Sequence, residues 1–201
     1  LCDPDEGCSH TTVPSCLPPT AWPIINEFDY EQFGDDTSDF IELLVVGEQT
    51  VELSVYTLQL IDGTTGQPYE TFALSEAGDQ LHPGERLVVG AVTIVTPLIG
   101  SVATIQTDGD FLTNGGVDGD AIRLVRSTPA GDVIVDSVAY EHPVPGANEG
   151  DSHAGFDGQF TAGSLGFSRC PDGLDTDDNS FDFKLSERNP GYTNTCEEVE
   201  P

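Results

Sequence analysis

Nowhere in this chain do apolar residues recur at helical spacing over ten or more positions; they come in short runs separated by clusters of Gly, Pro, Asp and Asn. A strand needs only a period of two over a few residues, whereas a helix needs an apolar stripe several turns long, so the pattern restricts the fold to all-β architectures. The first pair of runs sets the frame. Trp22 to Tyr30 alternates Ile24, Asn26, Phe28 and Tyr30 against Ile25, Glu27 and Asp29, and Phe40 to Val46 is almost continuously apolar. An acidic, Gly-containing turn through Gly34, Asp35 and Asp36 joins them, which predicts a hairpin with carboxylates gathered at one end.

Val51 to Ile61 places Val51, Leu53 and Val55 on one face and Tyr56, Leu58 and Leu60 on the other, predicting a switch of face near Val55. After turn chemistry at Asp62–Pro68, Tyr69 to Leu74 returns as a partner strand. The turn His82-Pro83-Gly84-Glu85 launches Arg86 to Val95, read as one central strand, and Thr96 to Asp120 reads as a loop insertion. Ala121–Arg126 and Asp132–Tyr140 form the clearest hairpin, turning at Ser127–Gly131. Glu141 to Gly163, rich in Gly, Pro, Asp and Asn, reads as a long ordered loop.

Charge narrows the partners. With 36 Asp and Glu against 6 Lys and Arg, the net charge is -30, which repels nucleic-acid phosphates and anionic membrane surfaces. The same charge opposes compaction unless multivalent cations neutralise carboxylate clusters or high ionic strength screens them; the single lysine, Lys184, is compatible with a saline habitat. No apolar run of 18 residues is present, so no membrane-spanning segment is expected, and the chain does not open on a basic and then apolar stretch.

The cysteines lie at the two ends: Cys2, Cys8 and Cys16, then Cys170 and Cys196, with no CxxC pair among them. This favours disulfides in an oxidising compartment over zinc. Residues 1–21, Cys- and Pro-rich and without hydrophobic period, read as a stapled leader with one bridge whose pairing is open. Residues 22–201 read as one domain. Cys170 and Cys196 bracket an irregular C-terminal stretch, and their pairing would hold it against the body.

Three acidic sets are candidate sites. Asp172, Asp175, Asp177, Asn179 and Asp182 supply oxygens at the close intervals that calcium, with its six to eight oxygen ligands, accepts. The match to an EF-hand loop is partial, because Ser180 stands where the turn Gly belongs and no Glu closes the loop. The alternative is a solvated loop whose Asp and Asn cap their own turns. Glu27, Asp35, Asp36, Asp39 and Glu42 form the second set: Glu27 and Glu42, on adjacent strands, require a proton, a cation or a basic partner, and Arg169 is the candidate partner. Asp108, Asp110, Asp118 and Asp120, the third set, read as two surface turns.

Catalytic signals are weak. Gly150-Asp151-Ser152 matches a hydrolase nucleophile motif, but no strand-to-helix elbow precedes it. His10, His82, His142 and His153 have no zinc-site spacing. Paired carboxylates for glycoside hydrolysis lack an aromatic platform around the single Trp22.

The phrases Ile25-Asn26-Glu27 with Phe40-Ile41-Glu42-Leu43, the aliphatic strand after Pro83-Gly84-Glu85, Val135-Asp136-Ser137-Val138-Ala139-Tyr140, and above all Ser164–Gly173 with Asp175–Phe183 and the closing Asn189–Asn194 resemble lamin-tail domains of bacterial secreted proteins. The resemblance spans roughly residues 22–196 and implies an immunoglobulin-like β-sandwich. It also implies a non-catalytic, secreted or cell-surface structural or adhesion module engaging a protein or cell-surface partner, and the acidic loop from Asp172 to Asp182 adds calcium as the ion that stiffens it. Two other roles are compatible with it: an accessory domain of an extracellular hydrolase or nuclease, and a subunit of a homo-oligomer, filament or surface layer in which the leader pairs with a neighbour by strand addition.

Overall fold

The computed structural model describes residues 21–32, 35–155 and 165–196. The expected leader, with Cys2, Cys8 and Cys16, lies outside the described residues apart from Ala21. The strands, in chain order, are β1 (Ala21–Asp29), β2 (Phe40–Gly47), β3 (Val51–Glu52), β4 (Tyr56–Asp62), β5 (Gln67–Ala73), β6 (Gln80–Leu81), β7 (Arg86–Ala91), β8 (Ala103–Thr107), β9 (Asp120–Thr128), β10 (Gly131–Tyr140), β11 (Leu165–Arg169) and β12 (Phe183–Glu187). They form a six-stranded sheet in the order β12-β11-β1-β2-β7-β8, a four-stranded sheet in the order β10-β9-β4-β5, and the small pair β3-β6. Among the described residues, no helix is long and apolar enough to cross a membrane.

The two large sheets pack face to face, giving the all-β sandwich expected from the apolar runs. Alternation decides which side chains meet: Ile41, Leu43, Val45, Leu87 and Val89 from one sheet share a buried core with Leu58, Leu60, Ile122, Leu124 and Val138 from the other. Phe28, Tyr30, Tyr140 and Phe167 stack at one end of this core, with Tyr30 and Tyr140 ring centroids 4.4 Å apart.

Two bulges reset the faces. On β1, Ile25 pairs with Leu43 but Glu27 pairs with Glu42, so Asn26 is the extra residue. Ile25 therefore joins Phe28 and Tyr30 in the core, while Ile24, Glu27 and Asp29 turn to the outer face, which corrects the simple alternation read from the sequence. On β10, the register slips between Ile134 and Asp136, and Val135 is left over. Asp136 is thereby buried.

The switch of face expected near Val55 is a single 3₁₀ turn, Leu53–Val55, between β3 and β4. The strand expected over Arg86 to Val95 ends at Ala91. Val92–Val95 is a helical turn whose Val95, with Leu98, covers Phe40 and Val88 on the outer face. The expected loop insertion over Thr96 to Asp120 contains β8, which pairs in parallel with β7. Its residues, Ala103-Thr104-Ile105-Gln106-Thr107, carry too little apolar alternation to announce a strand; the crossover from β7 positions them. The described part of the 141–163 loop, up to Gly155, is turns and irregular chain, as expected.

Candidate functional site

Two buried polar centres lie on opposite faces of β1. The inner one is built on Arg169, the last residue of β11, whose side chain is fully buried between the sheets. Its Nε donates to the Ile25 carbonyl at 2.8 Å, Nη2 to Asp136 Oδ1 at 2.9 Å, and Nη1 to Asp182 Oδ2 at 2.7 Å and Asp175 Oδ1 at 3.2 Å. Glu149 stands 3.8 Å from Nη2, and the guanidinium lies 4.7 Å from the Phe183 ring centroid. A planar five-donor fork is the one side chain able to serve so many acceptors at once.

Asp136 closes the arrangement: its Oδ2 accepts from the Ile25 N–H at 2.5 Å. Because β11 pairs with β1 only at Glu27 and Phe28, Ile25 has no strand neighbour on that side, and the Asp136–Arg169 ion pair takes the place of ladder partners. Asp136, Glu149 and Asp175 bring one carboxylate oxygen each within 4.8 Å of one another. Burial, then crowding by Asp136 and Asp175, pushes the Glu149 carboxyl up; Arg169 pulls against both. Asp136 is also raised by burial, with Arg169 opposing.

The outer centre lies where the C-terminal residues 188–196 contact the outer face of the six-stranded sheet. Glu27 and Glu42 sit opposite each other there, both at 0% exposure. Glu27 Oε1 accepts from Asn189 N at 2.7 Å, and Glu42 Oε2 accepts from Gly191 N at 2.6 Å. Arg86 Nε donates to Glu42 Oε1 at 3.0 Å and its Nη2 to Asp172 Oδ2 at 2.7 Å. Arg188 pairs with Asp29 at 2.5 Å. Asn194 Nδ2 donates to the carbonyls of Asn26 and Arg169, and the Cys170–Cys196 disulfide ties down the end of the segment with Cα atoms 5.4 Å apart. Among the described residues, Glu27 Oε2, buried beside Glu42, meets no hydrogen-bond donor in bonding geometry. Burial raises Glu27 to about 8 and Glu42 to about 7, the former helped by Glu42 and the latter opposed by Asn26, Gly191 and Arg86.

A third centre lies at the turn between β1 and β2. Asp39, fully buried, accepts from the N–H groups of Phe111 and Leu112 at 2.9 Å each and from Gln32 Nε2 at 3.0 Å. Asp36 and Asp110 bring carboxylate oxygens within 4.8 Å of Asp39 and of each other, and Asp36 Oδ1 is buried with no donor among the described residues. Burial, then Asp39 and Asp110, raises the Asp36 carboxyl.

The structure redistributes the candidates named from the sequence. Asp172 belongs to the outer centre through Arg86 and Asn26, whereas Asp175 and Asp182 serve Arg169 in the inner one. Asn179 is buried, accepting from Ala139 N and Glu149 N and donating to the Ser137 carbonyl. Asp177 is exposed, and its N–H donates to Asp175. The five residues from Asp172 to Asp182 therefore do not converge on one point. The second set divides too: Asp36 lies with Asp39 and Asp110, while the partner of Glu42 is Arg86 and not Arg169. The reason is strand alternation. Ser168 pairs with Glu27 on the outer face, so its neighbour Arg169 points inward. Of the third set, Asp118 accepts from Thr64 Oγ1 at 3.0 Å and Asp120 from Gly63 N at 2.9 Å, holding turns together.

Arg86, Asp136, Glu149 and Asn194 were not among the candidates. The available signal was scarcity: with 6 basic residues in 201, an arginine at a strand end marks a buried carboxylate. Arg86 pairs with Leu44, which puts it diagonal to Glu42 on the same face.

No family model matches the chain, and no curated protein matches it. The likeness to lamin-tail domains rests on the quoted residues.

Proposed function

We propose that the protein is a non-catalytic structural or adhesion module acting outside the cell or at its surface, with a lamin-tail-like body and with calcium neutralising part of its acidic surface. One observation carries this reading: the buried carboxylates are fasteners. Glu27, Glu42, Asp39 and Asp136 each accept a backbone N–H from a remote segment, at Asn189, Gly191, Phe111 with Leu112, and Ile25 respectively. A carboxylate committed to main-chain amides holds loops in place and is poorly disposed to exchange protons with a substrate. The Cys170–Cys196 disulfide supports an oxidising location.

For calcium, the arrangement favours the Asp36, Asp39 and Asp110 turn over the Asp172–Asp182 loop first singled out, because three carboxylate oxygens approach each other there without an arginine among them. The test is thermal unfolding at constant ionic strength with calcium or excess chelator. At calcium a hundredfold over Kd the ion contributes about 2.7 kcal/mol, or roughly 5–10 °C in Tm for a domain of this size. Asp110→Asn should abolish the difference, and an unchanged Tm in chelator overturns the calcium assignment. The non-catalytic reading itself fails if Asp39→Asn or Asp136→Asn leaves stability intact while removing a measurable turnover.

A further inference from the structure

Strand β8 is the edge of the six-stranded sheet, and it differs from the other three large-sheet edges. β12 carries Lys184 and Glu187, β5 carries Pro68 and Glu70, and β10 is bulged at Val135 and carries Asp132. Charges, prolines and bulges are what keep sheet edges from pairing with other chains. β8, Ala103-Thr104-Ile105-Gln106-Thr107, has none of them. Its backbone bonds to β7 on one side, and no described residue pairs with it on the other.

Beside the C-terminal end of β8 a cleft of about 520 Å³ opens between the two sheets, lined by residues of β5 and by residues 106–113. Phe72 and Phe111 meet edge to face on one side of it, with centroids 5.8 Å apart, and Glu70, Asp108 and Asp110 stand around it without a basic residue in the lining. Burial and the neighbouring Asp108 raise the Glu70 carboxyl, the expected sign for acids gathered without a counter-charge.

We propose that β8 and this cleft form a docking surface for an extended, basic segment of a different protein, which adds as a seventh strand and sets a lysine or arginine side chain among Glu70, Asp108 and the aromatic rings. Main-chain pairing supplies the attachment and the alternate side chain the selectivity. The aliphatic stem of the basic residue packs on Phe72 and Phe111 while its charged end reaches the carboxylates.

Charge decides against other occupants. A second copy carries a net charge of -30. Residues 1–20, 156–164 and 197–201 contain no Lys or Arg and include Asp3, Asp5, Glu6, Asp157, Glu197, Glu198 and Glu200. The proposal names the partner class for the adhesion reading and rests on it only in that respect; calcium dependence can fail without touching the edge strand.

The experiment uses the full chain and a fluorescent peptide in which lysine and valine alternate, followed by fluorescence anisotropy and by amide hydrogen exchange over Ala103–Thr107. The expected result is one peptide per chain, affinity that falls as salt is raised, and slowed exchange on β8. Gln106→Pro should abolish binding. The double variant Glu70→Gln with Asp108→Asn, which leaves the backbone alone, should weaken binding by roughly two- to fivefold per charge removed. The proposal is overturned if the peptide does not bind, if it binds without protecting β8, if a glutamate–valine peptide binds equally well, or if the β8 amides are as protected as those of β7 before peptide is added.

Discussion

Glu27 and Glu42 stand directly opposite each other on β1 and β2, and neither reaches solvent. Arg86 answers Glu42 and Arg188 answers the neighbouring Asp29, so Glu27 in the middle of the row is left without a cation. What it holds is the Asn189 amide.

This arrangement predicts that the protein loses stability as the solution becomes alkaline. Glu27 rises from 4.5 to about 8 and Glu42 from 4.5 to about 7, both because burial disfavours their charged forms. A carboxyl raised on folding holds its proton more tightly in the native state. The resulting stability is fully present below the unfolded value near 4.5 and is lost as pH climbs through the folded values. Each group contributes a slope of up to about 1.4 kcal/mol per pH unit within its window. At constant ionic strength, Tm should therefore fall between pH 5 and pH 8.5, and Glu27→Gln should flatten the fall. A Tm that is level or rising over that range contradicts the assignment.

Arg169 ties the two sheets together, from the Ile25 carbonyl on β1 to Asp136 on β10. Truncating it leaves Asp136 and Asp182 buried with no counter-charge and removes the donor to the Ile25 carbonyl. Arg169→Met should cost about 3–5 kcal/mol in urea unfolding. Arg169→Lys should recover little, since a point charge cannot replace a fork that reaches the Ile25 and Leu174 carbonyls and three carboxylates at once. The double change Arg169→Met with Asp136→Leu should be less harmful than the single one, because the stranded charge goes with its partner. Equal losses in the single and double variants would show that the ion pair is not the source of the effect.

How far these centres were legible in the sequence follows from what each required. Strands β1, β2, β4, β5 and β7 and the β9–β10 hairpin were readable, since period and turn chemistry are local. Glu27 and Glu42 were readable as a pair, because Ile25-Asn26-Glu27 and Phe40–Leu43 flank one turn. Their partners were not. A single bulge at Asn26 fixes which side chains of β1 face outward, and a bulge at Val135 accompanies the burial of Asp136; neither leaves a mark in the hydrophobic pattern. Arg169 was found but assigned to the wrong face, because its direction depends on the register of β11 against β1 and not on its own neighbours. β8 escaped notice because its position follows from the crossover after β7, a tertiary property.

Gly63 gives a test of close approach between two turns. A methyl group there would lie 2.1 Å from the Gly119 carbonyl oxygen and 2.5 Å from that of Asp118. Both are backbone atoms, so no rotamer change relieves the clash, and Gly63 N is also bonded to Asp120. Gly63→Ala should cost about 1–3 kcal/mol, the usual range for forced overpacking. Gly66→Ala, three residues on, meets nothing within 4 Å but sits at φ +67°, so it tests backbone conformation alone, at about 1–2 kcal/mol. Unfolding by denaturant separates the two, and a neutral Gly63→Ala would mean that the Asp118–Gly119 turn can move away.

The Cys170–Cys196 bridge closes a loop of 26 residues that includes β12 and the residues capping Glu27 and Glu42. Chain entropy alone assigns such a bridge about 3.5 kcal/mol. Its removal should do more than lower Tm, because the freed end carries Asn194, whose amide holds the carbonyls of Asn26 and Arg169. Cys196→Ser should therefore speed amide exchange at Asn189 and Gly191 by a larger factor than at β4 and β9, in the other sheet, where only the loss of global stability is felt. A uniform change across both sheets would indicate that the bridge acts only on the unfolded chain. A larger change at residues 188–196 would show that it also secures the cover over the two glutamates.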